Sequence, residues 1–174
     1  MAWIVKPSAT TEIERRSEPY ITAQLEKTFR EEIMPKYEQA MGALMPILHA
    51  VQHEYGYIPH QAMEEIATLL GITPGDVLDT VSFYEEYVDH PVGKYVIGVC
   101  QSIACEACGH QAIVDHLRRK LDIEPHETTA DGRFTLLTLE CLGACDTAPC
   151  ALVNDDRHDN LTIEAIDRVL DELK

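Results

Sequence analysis

Positive charge is scarce in this chain. Lysine and arginine number 14 against 30 aspartates and glutamates, a formal net charge of −16 over 174 residues. Nucleic acid and anionic membrane surfaces bind basic faces, so neither is an expected partner. A basic face on another protein suits this charge better. Long apolar runs are also missing. No stretch of about 18 apolar residues occurs, so no direct membrane insertion is expected. The opening Met1-Ala-Trp-Ile-Val-Lys-Pro7 is too short and too interrupted for a secretory leader. Arg15-Arg16 is followed by Ser17-Glu18-Pro19 and not by the apolar stretch of a twin-arginine signal. Glu12, Glu14 and Glu18 among the arginines argue against a mitochondrial transit peptide. The expectation is a cytosolic chain with reduced thiols. No Gly-x-Gly-x-x-Gly follows a strand-like run and no Walker-type loop occurs. No Ser/His/Asp or Cys/His nucleophile pattern stands out, so no complete catalytic site is expected in this chain. There is no internal repeat.

What is present divides the chain near residue 90. The length suits one medium domain or two small ones, and 45% hydrophobic with 25% charged residues is an ordinary globular balance. Residues 1–19 are polar and aperiodic and read as a flexible arm. Residues 20–90 read as a helical domain. Ile21, Leu25, Phe29, Ile33 and Met34 recur at helical spacing over Tyr20–Lys36, where Pro35 should end the helix. A second helix carries Met41, Leu44, Ile47, Leu48, Val51 and Tyr55. It accommodates Pro46 only within its first turn, and Gly56 is its expected cap. Pro59 opens a third helix ending at Leu69-Leu70-Gly71. Thr73-Pro74-Gly75-Asp76 starts a fourth, with Thr73 as cap, Pro74 at the first helical position and Asp76 closing a box-like pair. That helix carries Val77, Val81 and Phe83.

After His90-Pro91-Val92-Gly93 the pattern changes. Lys94–Val99 reads as a strand. Glu106–Leu121 reads as a helix with Ile113, Val114, Leu117 and Leu121 inward. Asp131-Gly132 is a turn and Phe134–Leu139 alternates as a half-buried strand does. Cys150–Val153 and Arg157–Leu161 read as short strands. Thr162 caps a last helix with Ile163, Ile166, Val169, Leu170 and Leu173 inward. This β-α-β then β-β-α order suits a small sheet covered by helices, as in thioredoxin-like domains. The expected fold class is α/β, an N-terminal helical bundle followed by a thioredoxin-like domain over residues 91–174.

Six cysteines in a chain with no evident export signal point to metal or redox chemistry. Four form two close pairs, Cys100-Gln-Ser-Ile-Ala-Cys105 and Cys141-Leu-Gly-Ala-Cys145, each after a strand. If the two strands lie parallel and adjacent, both loops leave the same sheet edge and four thiolates meet. Thiolates select iron–sulfur clusters, zinc or cuprous ion. Ser102, Ala104, Ala107, Gly143 and Ala144 are small enough to let backbone N–H groups approach cluster sulfur. Zinc fits the pair spacings as well. Cys105-Glu106-Ala107-Cys108 has the spacing of a disulfide-exchange motif. Cys100-x4-Cys105-x2-Cys108 with one distant cysteine has plant-type ferredoxin spacing.

The chain resembles the small thioredoxin-like 2Fe–2S subunit of bacterial NADH:quinone oxidoreductase (respiratory complex I), a family found also in NAD-linked hydrogenases and formate dehydrogenases. The resemblance rests on Val99-Cys100-x4-Cys105 and Glu140-Cys141-Leu142-Gly143-Ala144-Cys145-Asp146, followed by Ala148-Pro149. Tyr55-Gly56-Tyr57-Ile58-Pro59, Val81-Ser82-Phe83-Tyr84, Asp131-Gly132-Arg133-Phe134 and Asn160-Leu161-Thr162 support it, over about residues 39–174. It implies one 2Fe–2S cluster on Cys100, Cys105, Cys141 and Cys145, with Cys108 and Cys150 outside the ligand set. It implies a flavoprotein partner that binds FMN and NADH and carries a 4Fe–4S cluster, so that neither FMN nor NADH binds this chain. It also places the protein in the cytoplasmic peripheral arm of a larger respiratory complex, as one subunit of an NADH dehydrogenase. The equivalent subunit of an NAD-linked hydrogenase or formate dehydrogenase is the sibling reading. A zinc-stabilised thioredoxin-like binding module, or a free-standing ferredoxin, belongs to other classes.

Other features have plainer readings. His49 and His53 share a helix face without a third ligand and are expected in solvent. Met41, Leu44 and Met45 are expected in the core. Tyr84, Glu85, Glu86 and Tyr87 suit packing or a partner contact. Ala148-Pro149 is expected trans by default, although a proline bond admits cis.

Overall fold

The computed structural model describes residue 13 and residues 15–173, which form two compact units dividing between Pro91 and Val92. Most of the arm expected over residues 1–19 lies outside the described residues. At its described end, Arg15 pairs with Glu64 through two hydrogen bonds, and the Arg16 N–H donates to Gln61.

Among the described residues of the first unit, helical spacing becomes four α-helices. Helix α1 (Ala23–Thr28) starts at Thr22, whose side chain accepts the Leu25 N–H. It continues through a π turn (Phe29–Ile33) and a 3₁₀ turn (Met34–Lys36) and stops after Pro35, as the ring demands. The helical run begins three residues later than its apolar spacing suggested, because the extended Thr22 caps it there; the Ile21 N–H, ahead of the cap, donates to the Glu65 carboxylate. Helix α2 (Leu44–Tyr55) holds Pro46 in its first turn, where no N–H is needed, and ends on Gly56 at φ 78°. Helix α3 (His60–Leu70) ends on Gly71, and helix α4 (Pro74–Phe83) opens with the complete Thr73/Asp76 capping box. Phe29, Leu44, Ile47, Leu48, Val51, Ile58, Ile66 and Val77 are fully buried between these helices. Met45 packs against this core, while Met41 is exposed. Phe83 is 78% exposed, unlike Val81. Two residues further along a helix lies about 200° round its axis. His49 and His53 are both exposed.

The second unit is a five-stranded sheet with order β2-β3-β1-β4-β5. Its strands are β1 (Tyr95–Cys100), β2 (Glu127–Thr128), β3 (Phe134–Leu139), β4 (Ala151–Val153) and β5 (Asp156–His158). Strand β1 is central. It pairs in parallel with β3, from Tyr95 opposite Phe134 to Cys100 opposite Leu139, and antiparallel with β4. Strand β2 escaped the sequence reading because it is two exposed polar residues long and exists only by pairing with β3. The helix expected over 106–121 is two helices, α5 (Ile103–Ala107) and α6 (His110–Leu121). Gly109 separates them at φ 88°, a left-handed conformation that glycine adopts without steric cost. Helix α7 (Ile163–Glu172) begins at Thr162, whose side chain accepts the Ala165 N–H. Ile97, Val99, Leu117, Leu136, Ala151 and Ile166 form the core between sheet and helices. Ile163 is exposed instead of inward, since a side chain at the first helical position has no preceding turn to lie over.

Candidate metal centre

The parallel pairing of β1 with β3 brings the two cysteine loops to one sheet edge. Cys100 is the last residue of β1, opposite the last residue of β3, and the chain reaches Cys141 two residues beyond Leu139. The Gln101 N–H donates to the Leu139 carbonyl and the Gln101 side chain donates to Glu140, so the two loop bases are tied together. Small side chains then let the loops meet. Cys100, Cys105, Ala144 and Cys150 form one buried cluster, with Leu142 and Ala148 packed against it.

Each cysteine has its own position. Cys100 and Cys105 are buried, at 2% and 1% exposure. Cys105 lies in helix α5, which sets its thiol beside that of Cys100. Cys141 and Cys145 are exposed on the second loop. Gly143, at φ 68°, turns that loop so that its N–H donates to the Cys141 Sγ at 3.4 Å. Cys145 opens a 3₁₀ turn, Cys145–Thr147. Cys108 ends α5 and is exposed. Ala148–Pro149 is cis, against the trans default.

Cys150 is the residue that spacing did not single out. It is fully buried, and its Sγ lies 3.8 Å from the Cys105 Sγ. The Sγ atoms of Cys100, Cys105 and Cys150 all lie within 4.8 Å of one another. Sheet pairing is responsible: β4 runs antiparallel to β1, and the Cys100 N–H donates to the Cys150 carbonyl at 3.0 Å. No motif spacing signals this, because the neighbour is on another strand.

Burial pushes the Cys100 thiol up, but hydrogen bonds from the Ser102 and Leu142 backbone and from the Cys105 and Ser102 side chains outweigh it, and Cys100 ends below its ordinary value. Burial raises Cys105, and it carries Cys150 to about 12 with the hydrogen-bonded Cys105 thiol adding to the effect.

The donor set fits a thiolate-held iron–sulfur group. All the candidate ligands are sulfur, and the N–H groups of Leu142, Ser102 and Gly143 stabilise negative sulfur. Ala144 and Leu142 supply the apolar wall.

Among the described residues, no helix is long and apolar enough to cross a membrane. Residues 30–174 match the model of the thioredoxin-like [2Fe-2S] ferredoxin family. The chain is 39% identical over 150 residues to an NADH-quinone oxidoreductase subunit of Rhizobium meliloti, covering 84% of this chain and 89% of that protein. It is 39% identical over 159 residues to a subunit of the Escherichia coli NADH-quinone oxidoreductase, covering 91% and 96%. Its fold is similar to a solved NAD+-reducing [NiFe]-hydrogenase, with a TM-score of 0.65 and 28% identity. That likeness covers 75% of this chain and only 22% of the hydrogenase chain. With the family model spanning most of its length and relatives at this identity, the chain belongs to the thioredoxin-like [2Fe-2S] ferredoxin family.

Proposed function

We propose that this chain is the one-electron carrier subunit of an NADH-oxidising respiratory complex, with Cys100, Cys105, Cys141 and Cys145 holding one 2Fe–2S cluster. The observation that carries the reading is the junction of the two cysteine loops at the ends of parallel neighbours β1 and β3. A bound 2Fe–2S cluster supplies one-electron transfer. The chain's own residues do the rest. The four thiolates hold the group. The Ser102, Leu142 and Gly143 N–H groups offset their charge, and Ala144 and Leu142 shield the buried side from water.

NADH gives up a hydride, hence two electrons, so a one-electron carrier needs a flavin to divide the pair. The partner proposed is therefore a flavoprotein that binds FMN and NADH and carries a 4Fe–4S cluster. It would offer a basic face to this chain of net charge −16. The site proposed for the assembly is the peripheral arm on the cytoplasmic side of the membrane. The hydrogenase likeness supports a second reading, the equivalent subunit of an NAD-linked hydrogenase. The relatives at 39% identity across nearly the whole chain favour the first.

The test is electron paramagnetic resonance on the anaerobically purified, dithionite-reduced full chain, with iron and sulfide assayed on the same sample. The expected result is an S = 1/2 signal with about two irons and two sulfides per chain. Cys141→Ser or Cys145→Ser should abolish it, and Cys108→Ser should leave it intact. One zinc per chain without sulfide would overturn the electron-carrier reading. Loss of the signal in the Cys108 variant alone would overturn the ligand set.

A further inference from the structure

Cys150 has no task in the proposed cluster, yet its Sγ lies 3.8 Å from that of Cys105, a proposed ligand. Three buried thiols, Cys100, Cys105 and Cys150, surround one point, with every Sγ within 4.8 Å of the other two and one pair at 3.8 Å. Three sulfurs bound at about 2.3 Å to a single ion stand roughly 3.8–4.0 Å apart, for tetrahedral or trigonal arrangements alike. The Cys105–Cys150 pair stands at that spacing, and the other two pairs, within 4.8 Å, reach it by small side-chain rotations. Their exposures of 2%, 1% and 0% keep water from the site, and Ala144, Leu142 and Ala148 close it with carbon.

From this geometry we infer a second, mononuclear metal site: Cys100, Cys105 and Cys150 bind one cuprous ion in the chain that lacks its cluster. Donor chemistry selects the metal. An all-thiolate set favours soft ions. Zinc requires a fourth ligand, whereas cuprous ion is satisfied by three sulfurs or fewer. Binding releases thiol protons to solvent and leaves the oxidation state of sulfur and copper unchanged. The site shares Cys100 and Cys105 with the proposed cluster, so a chain holding the ion cannot load the cluster until the ion leaves. The inference rests on the cluster reading through those two shared residues alone.

The two sites make crossed demands on the remaining cysteines. Copper binding should depend on Cys150 and be indifferent to Cys141 and Cys145; cluster assembly should show the reverse. The experiment is an anaerobic titration of the cluster-free full chain with cuprous ion against a chromophoric chelator, in parallel with reconstitution by iron and sulfide. Wild type should take up one ion per chain and then fail to reconstitute. Losing a residue that merely supports a metal ligand costs about 10–100-fold in affinity, so losing a ligand should cost more than about 100-fold. Cys150→Val and Cys150→Ala should show that loss and still reconstitute the cluster. The Cys141→Ser/Cys145→Ser double variant should bind copper as wild type does and fail to reconstitute. Far-ultraviolet circular dichroism identifies any variant that does not fold, and the two Cys150 replacements serve as alternatives for that buried position. Wild-type copper affinity in both Cys150 variants, or loss of copper binding in the double variant, would overturn the inference. Absence of cluster in the wild type with copper binding intact would overturn the cluster reading alone.

Discussion

Gly93 stands where the second unit begins, and replacing it should loosen the strand pair that carries both cysteine loops. A Cβ added at Gly93 would lie 2.7 Å from the Phe134 carbonyl carbon, 2.8 Å from the Phe134 nitrogen and 3.0 Å from the Arg133 carbonyl carbon. All three are backbone atoms, so no rotamer change relieves the clash. The chain leading into β1 would have to move away from β3. That movement also stretches the 2.7 Å hydrogen bond from the Gly93 N–H to the Thr135 hydroxyl, a buried contact. Gly98 provides the internal comparison. A Cβ there comes even closer to a neighbour, 2.4 Å from the Cδ1 and 2.9 Å from the Cγ of Leu139, but these belong to a half-buried side chain that can rotate. Forcing extra carbon into packed structure costs about 1–3 kcal/mol. Gly93→Ala should fall in the upper part of that range and Gly98→Ala at or below its lower edge. For a unit of this size each kcal/mol lowers the melting temperature by roughly 4–8 °C. A 2 kcal/mol cost therefore corresponds to about 8–16 °C. Thermal unfolding followed by circular dichroism, on full chains purified without the cluster, measures both. A wild-type melting temperature for Gly93→Ala, or a larger drop for Gly98→Ala, would refute the view that backbone contact decides the cost.

Two further outcomes are expected. Thr73→Ala removes the side-chain oxygen that accepts the Asp76 N–H at 3.2 Å. Loss of such a cap costs about 1 kcal/mol, which chemical denaturation of the variant would detect. The phenol of Tyr87 is pushed up from 10.0 to about 12 by burial, with the charge of Glu86 and then Tyr84 adding to it. A folded value above the unfolded one gives stabilisation that is complete below pH 10 and lost as pH rises towards 12. The alkaline limb of the stability profile should therefore flatten in Tyr87→Phe; an unchanged limb would show that another group controls it.

Local chemistry explains how much of the fold was legible in the sequence. Thr73-Pro74-Gly75-Asp76, Gly56 and Thr162 act within a turn or two of themselves, and each did what its residue type requires. Strand β3 has the expected span, Phe134–Leu139, but its burial does not alternate: Phe134, Thr135 and Leu136 are buried and the last three residues half-buried. Local reading failed where the neighbour was remote. Glu65 takes up the Ile21 N–H from 44 residues away, and β2 exists only through β3. The break at Gly109 was written in the sequence but masked by the helical spacing around it.

The cysteine site divides along the same line. Sequence alone determined the two cysteine pairs, the small residues between them and the scarcity of basic charge, because spacing and composition are properties of the chain. Tertiary structure alone decided that β1 and β3 are parallel neighbours, and that the antiparallel β4 returns Cys150 to within 3.8 Å of Cys105. Strand pairing joins residues by hydrogen bonds that are indifferent to their separation along the chain, so no spacing rule can foresee which thiols it brings together.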